Sequence, residues 1–178
     1  MLIQTKHLKL RPWRETDRDS FAAMNTDPEV MADLGGPLSR TQSDAKLDGY
    51  AAAFEQHGYC RWALENQNGD FLGYTGLIAH GADHPLGVHS DIGWRLVRHA
   101  WGHGYATEAA RAALKDVFAR TDLSEALAYT SPTNTRSMAV MARLGLERTP
   151  SRDCSFPNGW KALVWRTGPH NPAIARPS

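Results

Sequence analysis

A chain of 178 residues, 42% hydrophobic and 22% charged, has room for one domain with a substantial core. A formal net charge of +1 excludes the broad basic field that sequence-independent nucleic-acid binding needs. Apolar runs of only a few residues exclude a membrane-spanning helix, and the two cysteines, Cys60 and Cys154, build no disulfide framework.

The opening MLIQTKHLKLRPW lacks the apolar stretch and small-residue cleavage site of a signal peptide, so a cytoplasmic protein with reduced thiols is expected. Residues 6–13 alternate, Leu8 and Leu10 against His7, Lys9 and Arg11, and read as a first strand ended by Pro12. Thr16 and Asp19 read as an N-cap pair opening a helix. Pro28 suits the first turn of a short helix over 29–34, which Gly35-Gly36-Pro37 breaks. Ser39 starts a longer helix, with Leu47, Tyr50 and Phe54 on one side and Gly58 as its stop. Strands over 61–65 and 70–79 flank the hairpin connection Asn66-Gln67-Asn68-Gly69, and 80–87 is a loop.

Residues 91–120 form the central unit. Ile92, Trp94 and Leu96 share one strand face, while Asp91, Gly93, Arg95 and Val97 share the other. Ala106, Ala109, Ala110, Ala113, Leu114, Val117 and Phe118 make the apolar stripe of a helix. Between them, Gly102 and Gly104 let backbone N–H groups turn inward, and the helix adds its own free N–H groups and positive dipole end. Such a turn is an anion seat that fits a pyrophosphate. A strand over 125–130, a helix over 134–144 stopped by Gly145, and strands over 148–156 and 160–167 follow. The order β-α-α-β-β-β-α-β-α-β-β predicts an α+β layout with a mixed sheet, one domain over 1–167, and a loosely ordered Pro-rich tail over 168–178.

The central segment resembles the acyl-CoA-binding motif of the GNAT N-acetyltransferase superfamily, Gln/Arg-x-x-Gly-x-Gly/Ala between strand and helix, with His99 in the Gln/Arg place. Ile92-Gly93-Trp94 and the run from Trp101 to Ala109 are similar, more narrowly, to the RimJ/RimL branch, which acetylates ribosomal-protein N-termini and other amines. Residues 5–13 are similar to that branch's opening strand. Asn134-Thr135-Arg136-Ser137 with Leu144-Gly145-Leu146-Glu147 is similar to its Asn-x-x-Ser…Leu-Gly-Phe block. The resemblance covers roughly 3–167. It implies a mostly antiparallel mixed sheet of about seven strands flanked by helices, with the first two helices bordering the acceptor groove.

It also implies acetyl-CoA as co-substrate and no metal. The donor would be held by Leu96, Val97, Trp101, Gly102, His103, Gly104, Tyr105, Ala106, Thr107 and Asn134, with main-chain N–H near Leu96 or Val97 polarising the thioester carbonyl. The implied partner is an amine acceptor, a small molecule or a protein N-terminus, with no nucleic acid or membrane; a homodimer is left open. Asp91 is the first choice of catalytic base, directly or through a water, because the branch carries an acid just before Ile-Gly; a solvated carboxylate weighs equally, and His89 and Glu65 are rivals. Met141 stands where many members have a tyrosine acid, so Ser137 is the hydroxyl placed near sulfur, with Tyr129 or solvent as alternatives and helix capping as its plainer role. Asn134 has the pantetheine arm or a plain turn as its two readings.

His80, His84 and His89 lie close in sequence and His99 and His103 are four apart, but without HExxH or a cysteine partner no metal site is expected. Trp62, Trp94 and Trp165 read as core; Trp13 and Trp160 read as core or acceptor pocket. A dinucleotide fingerprint is a poor fit, since Thr107 replaces its third glycine. An acyl-CoA-binding sensor or interaction module is the non-enzymatic alternative.

Overall fold

The computed structural model describes residues 2–175. In chain order its elements are β1 (Ile3–Gln4), β2 (Leu8–Arg11), α1 (Arg18–Thr26), α2 (Pro28–Met31), α3 (Arg40–His57), β3 (Arg61–Asn66), β4 (Phe71–His80) and β5 (His89–Leu96). There follow α4 (Tyr105–Arg120), β6 (Ala126–Thr130), α5 (Thr135–Arg143), β7 (Glu147–Arg148), β8 (Cys154–Ser155), β9 (Lys161–Thr167) and α6 (Pro172–Ala175). The strands lie in the order β1-β2-β3-β4-β5-β6-β9-β7, with β8 paired to β9. Every described pairing is antiparallel except β5 with β6.

The nine strands exceed the expected seven for two local reasons. Residues 3–11 form two strands, because Thr5 N–H bonds back to Leu8 O and turns the chain between them. The stretch read as one strand over 148–156 is broken by Pro150, which opens a 3-10 turn over Pro150–Arg152 and leaves β7 and β8 on either side. Helix α1 also starts later than Thr16: a 3-10 turn over Glu15–Asp17 precedes it. Helix α3 is bounded as its sequence demands, by a capping box between Ser39 and Gln42 and by Gly58 in a left-handed C-cap. Part of the expected loose tail is tied down, since Ile174 of α6 is 2% exposed in the main core; residues 176–178 lie outside the described residues.

Strand alternation splits the core between the two sheet faces. Trp62, Leu64, Leu77, Ile92 and Leu96 meet Ala109, Ala110, Ala113, Leu114 and Val117 of α4 on one face. On the other, Tyr74 packs with Phe21 and Met24 of α1, Val30 of α2, and Leu47 and Tyr50 of α3. Trp13 belongs there too, its ring 4.8 Å from Phe21 and 6.0 Å from Tyr50, so it is core. Both cysteines are free, and burial pushes the Cys60 thiol up to about 12.

Glu65 is structural. Arg11 donates to it at 2.5 Å and to both oxygens of Asp17 at 2.7 and 2.8 Å, all three side chains being buried. Removing the cation would strand two buried carboxylates, which is far more costly than never having formed the cluster. Arg11→Met should therefore lower the unfolding free energy in urea by about 3–5 kcal/mol. A loss near zero would show that water reaches the cluster.

Candidate active site

β5 and β6, the one parallel pair among the described residues, touch at a single register point, Asp91 opposite Leu127. Beyond it they part. Parallel neighbours require a crossover, and α4 provides it, so the turn leading into α4 and the start of α5 after β6 face the same gap. Val97 N–H donates to Leu72 O at 3.1 Å, and strand amides alternate sides, so those of Trp94 and Leu96 turn toward the gap. Trp101 Nε1 already holds Leu96 O at 2.9 Å. Of the two amides expected to face the donor, that of Leu96 turns toward the gap together with that of Trp94, while that of Val97 is spent within the sheet.

A cavity of about 710 Å³ fills this gap. Trp94, Arg95 and Leu96 form one wall, residues 101–107 its floor, Asn134, Arg136, Ser137 and Arg143 the opposite wall, and Val30, Asp33 and Leu34 one end. Gly102 and Gly104 have φ of +80° and +81°, values that disfavour any side chain, and a Cβ at either would project into open space. No loop, cap or side-chain hydrogen bond engages the N–H groups of residues 102–107 among the described residues. Thr107 Oγ1 is likewise buried without a partner. A surface this rich in free donors fits an anion at a helix N-terminus, as the phosphates of coenzyme A would be. His103 and Tyr105 stack with centroids 5.3 Å apart beside it.

Two of the cavity's cations, both on α5, are not singled out by the sequence. Arg136 and Arg143 are seven residues apart on α5, close to two helical turns, so they share a side; Arg136 lies 4.1 Å over the Trp101 ring. Ser137 lines the same wall, and its hydroxyl makes no hydrogen bond to the described residues. The capping role belongs to Asn134, whose Oδ1 accepts Ser137 N–H at 3.0 Å. Met141 is 2% exposed, inside the core.

Asp91 stands where the strands separate, 5% exposed rather than solvated. Arg61 donates to its Oδ2, and His80 Nε2 lies 2.5 Å from its Oδ1. Gly93 makes this possible, because a Cβ there would meet the Arg61 guanidinium at 2.6–2.8 Å. Burial alone would raise the Asp91 pKa, but the Arg61 charge and the His80 bond outweigh it and hold the carboxyl at about 2. His80, which the sequence reading passed over as a base, is thus the group Asp91 orients. His84 and His89 stack against it, at 4.5 and 4.7 Å between centroids. Burial first, then the neighbouring imidazoles, lowers the His84 pKa; burial lowers that of His89 too, against the opposing Gly87 hydrogen bond. Tyr129 Oη is 3.3 Å from His84 Nε2, so it belongs to this cluster and not to the cavity wall; burial first, then the Asp91 charge, raises its pKa. Trp160 joins it through Phe156, at 5.0 Å.

Arg95 is the remaining cation. It is 8% exposed, donates to Asn25 Oδ1 at 2.7 Å, and forms no ion pair among the described residues. Its Nε is buried and has no partner among the described residues.

The acetyltransferase (GNAT) domain family pattern matches residues 7–147, which include the opening strand, the glycine turn and the start of the cavity's second wall. The chain is a member of the GNAT acetyltransferase family. Acetyl-CoA-dependent N-acetyl transfer is the activity that membership gives this GNAT protein. It is 28% identical over 151 residues to the FsC-acetyl coenzyme A-N(2)-transacetylase of Aspergillus fumigatus, a match covering 81% of this chain and 64% of the fungal one. The crystal structure of an acetyltransferase from Agrobacterium tumefaciens is similar at a TM-score of 0.83 and 27% identity, covering 94% of each chain. A RimL ribosomal L7/L12 alpha-N-protein acetyltransferase solved with coenzyme A shares the fold at a TM-score of 0.74 and 18% identity, covering 94% of this chain and 98% of that one.

Two outcomes follow from this geometry. Gly104→Val should weaken coenzyme A binding at least tenfold by calorimetry while costing about 1–2 kcal/mol of stability for the left-handed residue; undiminished binding would remove the turn from the donor seat. A carboxyl depressed from 3.8 to about 2 stabilises the fold above pH 4, and that contribution is lost as pH falls toward 2. Acid titration of Asp91→Asn should therefore show a shallower loss of stability between pH 4 and 2 than the unsubstituted protein.

Proposed function

We propose that this GNAT protein carries an acetyl group from acetyl-CoA to a primary amine by direct attack within a ternary complex. One observation supports this above the others: the donor-lined gap opens at the residue where Asp91 and His80 are held. The amine nitrogen bonds to the acetyl carbon, the carbon–sulfur bond breaks, the amine proton leaves to a base, and the sulfur takes up a proton. Holding the two reactants in register supplies much of the acceleration. The N–H groups of Trp94 and Leu96 polarise the carbonyl.

A carboxyl near pKa 2 with both oxygens engaged is a weak proton acceptor. Asp91 therefore acts through His80 or a water, orienting the imidazole and stabilising it when charged. Ser137 supplies a hydroxyl to the departing sulfur. The acceptor is an α-amine flanked by a carbonyl or carboxylate, which Arg95 recognises as a buried cation without an ionic partner. The fungal relative and the RimL neighbour are both named for acetyl transfer to nitrogen, the latter at a protein terminus, so a protein N-terminus and a small-molecule amine both fall within the proposal. A cytoplasmic setting is part of the proposal; among the described residues no helix is long and apolar enough to cross a membrane.

Thiol release from acetyl-CoA, followed with an amine panel that includes peptides beginning in Ala or Ser, tests the reading. Asp91→Asn should lower kcat about 100-fold while acetyl-CoA affinity stays within about threefold. Ser137→Ala should cost less, about tenfold in kcat. Coenzyme A uptake with no thiol release from any amine would mark a sensor instead.

A further inference from the structure

We propose that His80, His84 and His89 form a binding site for a divalent transition-metal cation of the zinc class, at the vertex of β5 and β6 and outside the acyl-donor cavity. The ligands come from the end of β4, the following loop and the start of β5. His80 and His89 are register partners across the hairpin, so backbone pairing fixes two of the three. One ring nitrogen from each lies within 4.8 Å of the others. Zinc–imidazole bonds of about 2.0–2.1 Å place tetrahedral ligand atoms about 3.3 Å apart, a closure that side-chain rotation achieves without moving a strand.

The hydrogen bonds around the trio leave lone pairs where a cation needs them. His89 Nδ1 lies 2.8 Å from Gly87 O, so that nitrogen carries the proton. Its Nε2 then has only a lone pair to offer, and it is buried with no partner among the described residues. His80 directs Nε2 to the Asp91 carboxylate at 2.5 Å, the carboxylate–imidazole arrangement that sets the tautomer of metal-bound histidines, and keeps Nδ1 free. His84 is the adjustable member. Its Nδ1 accepts Leu86 N–H at 3.1 Å, which leaves the proton on Nε2, 3.3 Å from Tyr129 Oη, so ligation through Nδ1 costs it the Leu86 bond.

The surroundings match a metal better than they match three protonated rings. Asp91 is the carboxylate in contact, and Arg61 already shares it; charging all three imidazoles would set like charges within 5 Å of one another. Neutral imidazole donors favour Zn²⁺, Ni²⁺ or Cu²⁺ and discriminate against Mg²⁺ and Ca²⁺. Three protein nitrogens leave a fourth position for water. Phe156, 5.3 Å from His84, shields one side. Binding requires nothing of the acyl-transfer reading, but if His80 does accept the amine proton there, an ion on its free nitrogen would halt turnover.

The test uses tag-free, chelator-treated full-length protein, titrated calorimetrically with ZnCl₂ and separately with MgCl₂, and loaded with Co²⁺ for visible spectroscopy. One Zn²⁺ per chain, no Mg²⁺ uptake and the d–d bands of tetrahedral Co²⁺ are expected. His84→Ala, on an accessible loop, and His89→Ala should each weaken Zn²⁺ at least tenfold and abolish the Co²⁺ bands with unchanged circular dichroism. Absence of Zn²⁺ uptake by the folded protein, or uptake that both substitutions leave intact, would overturn the site.

Discussion

The buried pair of Arg61 and Asp91 is the constraint on which the rest of the molecule turns. Arg61 leaves β3, donates to Gly76 O on β4, and ends on both the main-chain and side-chain oxygens of Asp91 on β5. Three strands are thereby tied at the last residue where β5 still meets β6. A pair of this kind adds little net stability over an apolar replacement, because both ions lose their water. Its value is positional. It fixes the branch point, so that the amides beyond it remain unpaired and the carboxylate at it faces histidines rather than solvent.

The two sides of the branch point are built from different materials. The donor side consists of main-chain N–H groups, a helix start, and a strand edge, with Arg136 and Arg143 added from α5. These are rigid, and their chemistry is set by backbone geometry. In the proposed reaction the acceptor side would draw on the loop after β4, the turn after α2 and the segment before β9, where side chains would decide what is recognised. Asp33 reaches across to Ser131 and Thr133 at 3.3 and 3.2 Å, so the α2 turn already rests on the chain leaving β6. Movement of that turn would open or narrow the end of the cavity lined by Val30 and Leu34.

This division explains what the sequence made legible. Gly102 and Gly104 announce themselves because φ near +80° is a backbone demand that only glycine meets cheaply, and the helix boundaries at Ser39, Gly58 and Asn134 follow from equally local capping chemistry. Strand alternation separates Ile92 and Leu96 from Asp91 and Arg95 without further information. What escaped depends on long-range placement. Asp91 reads equally as a base or as a solvated acid until Arg61, thirty residues earlier, is seen against it. Glu65 reads as a rival base until Arg11 and Asp17 enclose it. The spacing of His80, His84 and His89 fits no helical ligand motif, and only the β4–β5 register brings the first and last face to face.

Arg95 shows how far charge alone can narrow the acceptor. Arg95 shares the cavity wall with Trp94 and Leu96, but the glycine turn has amide N–H groups and the two arginines of α5 to match an anion without it. Arg95 projects from the opposite strand face, beside Asn25 and 5.4 Å over Tyr74, where the helices α1 and α3 pack. A guanidinium so enclosed loses most of its hydration, and one neutral amide and one ring face restore only part of it. In the proposed reaction the deficit would be met when an acceptor brings oxygen atoms to its remaining N–H groups, and an acceptor lacking them would leave it unmet. Discrimination by a buried donor left unpaired is steeper than discrimination by apolar fit, so on that proposal Arg95 would separate amines with an adjacent carbonyl or carboxylate from simple alkylamines.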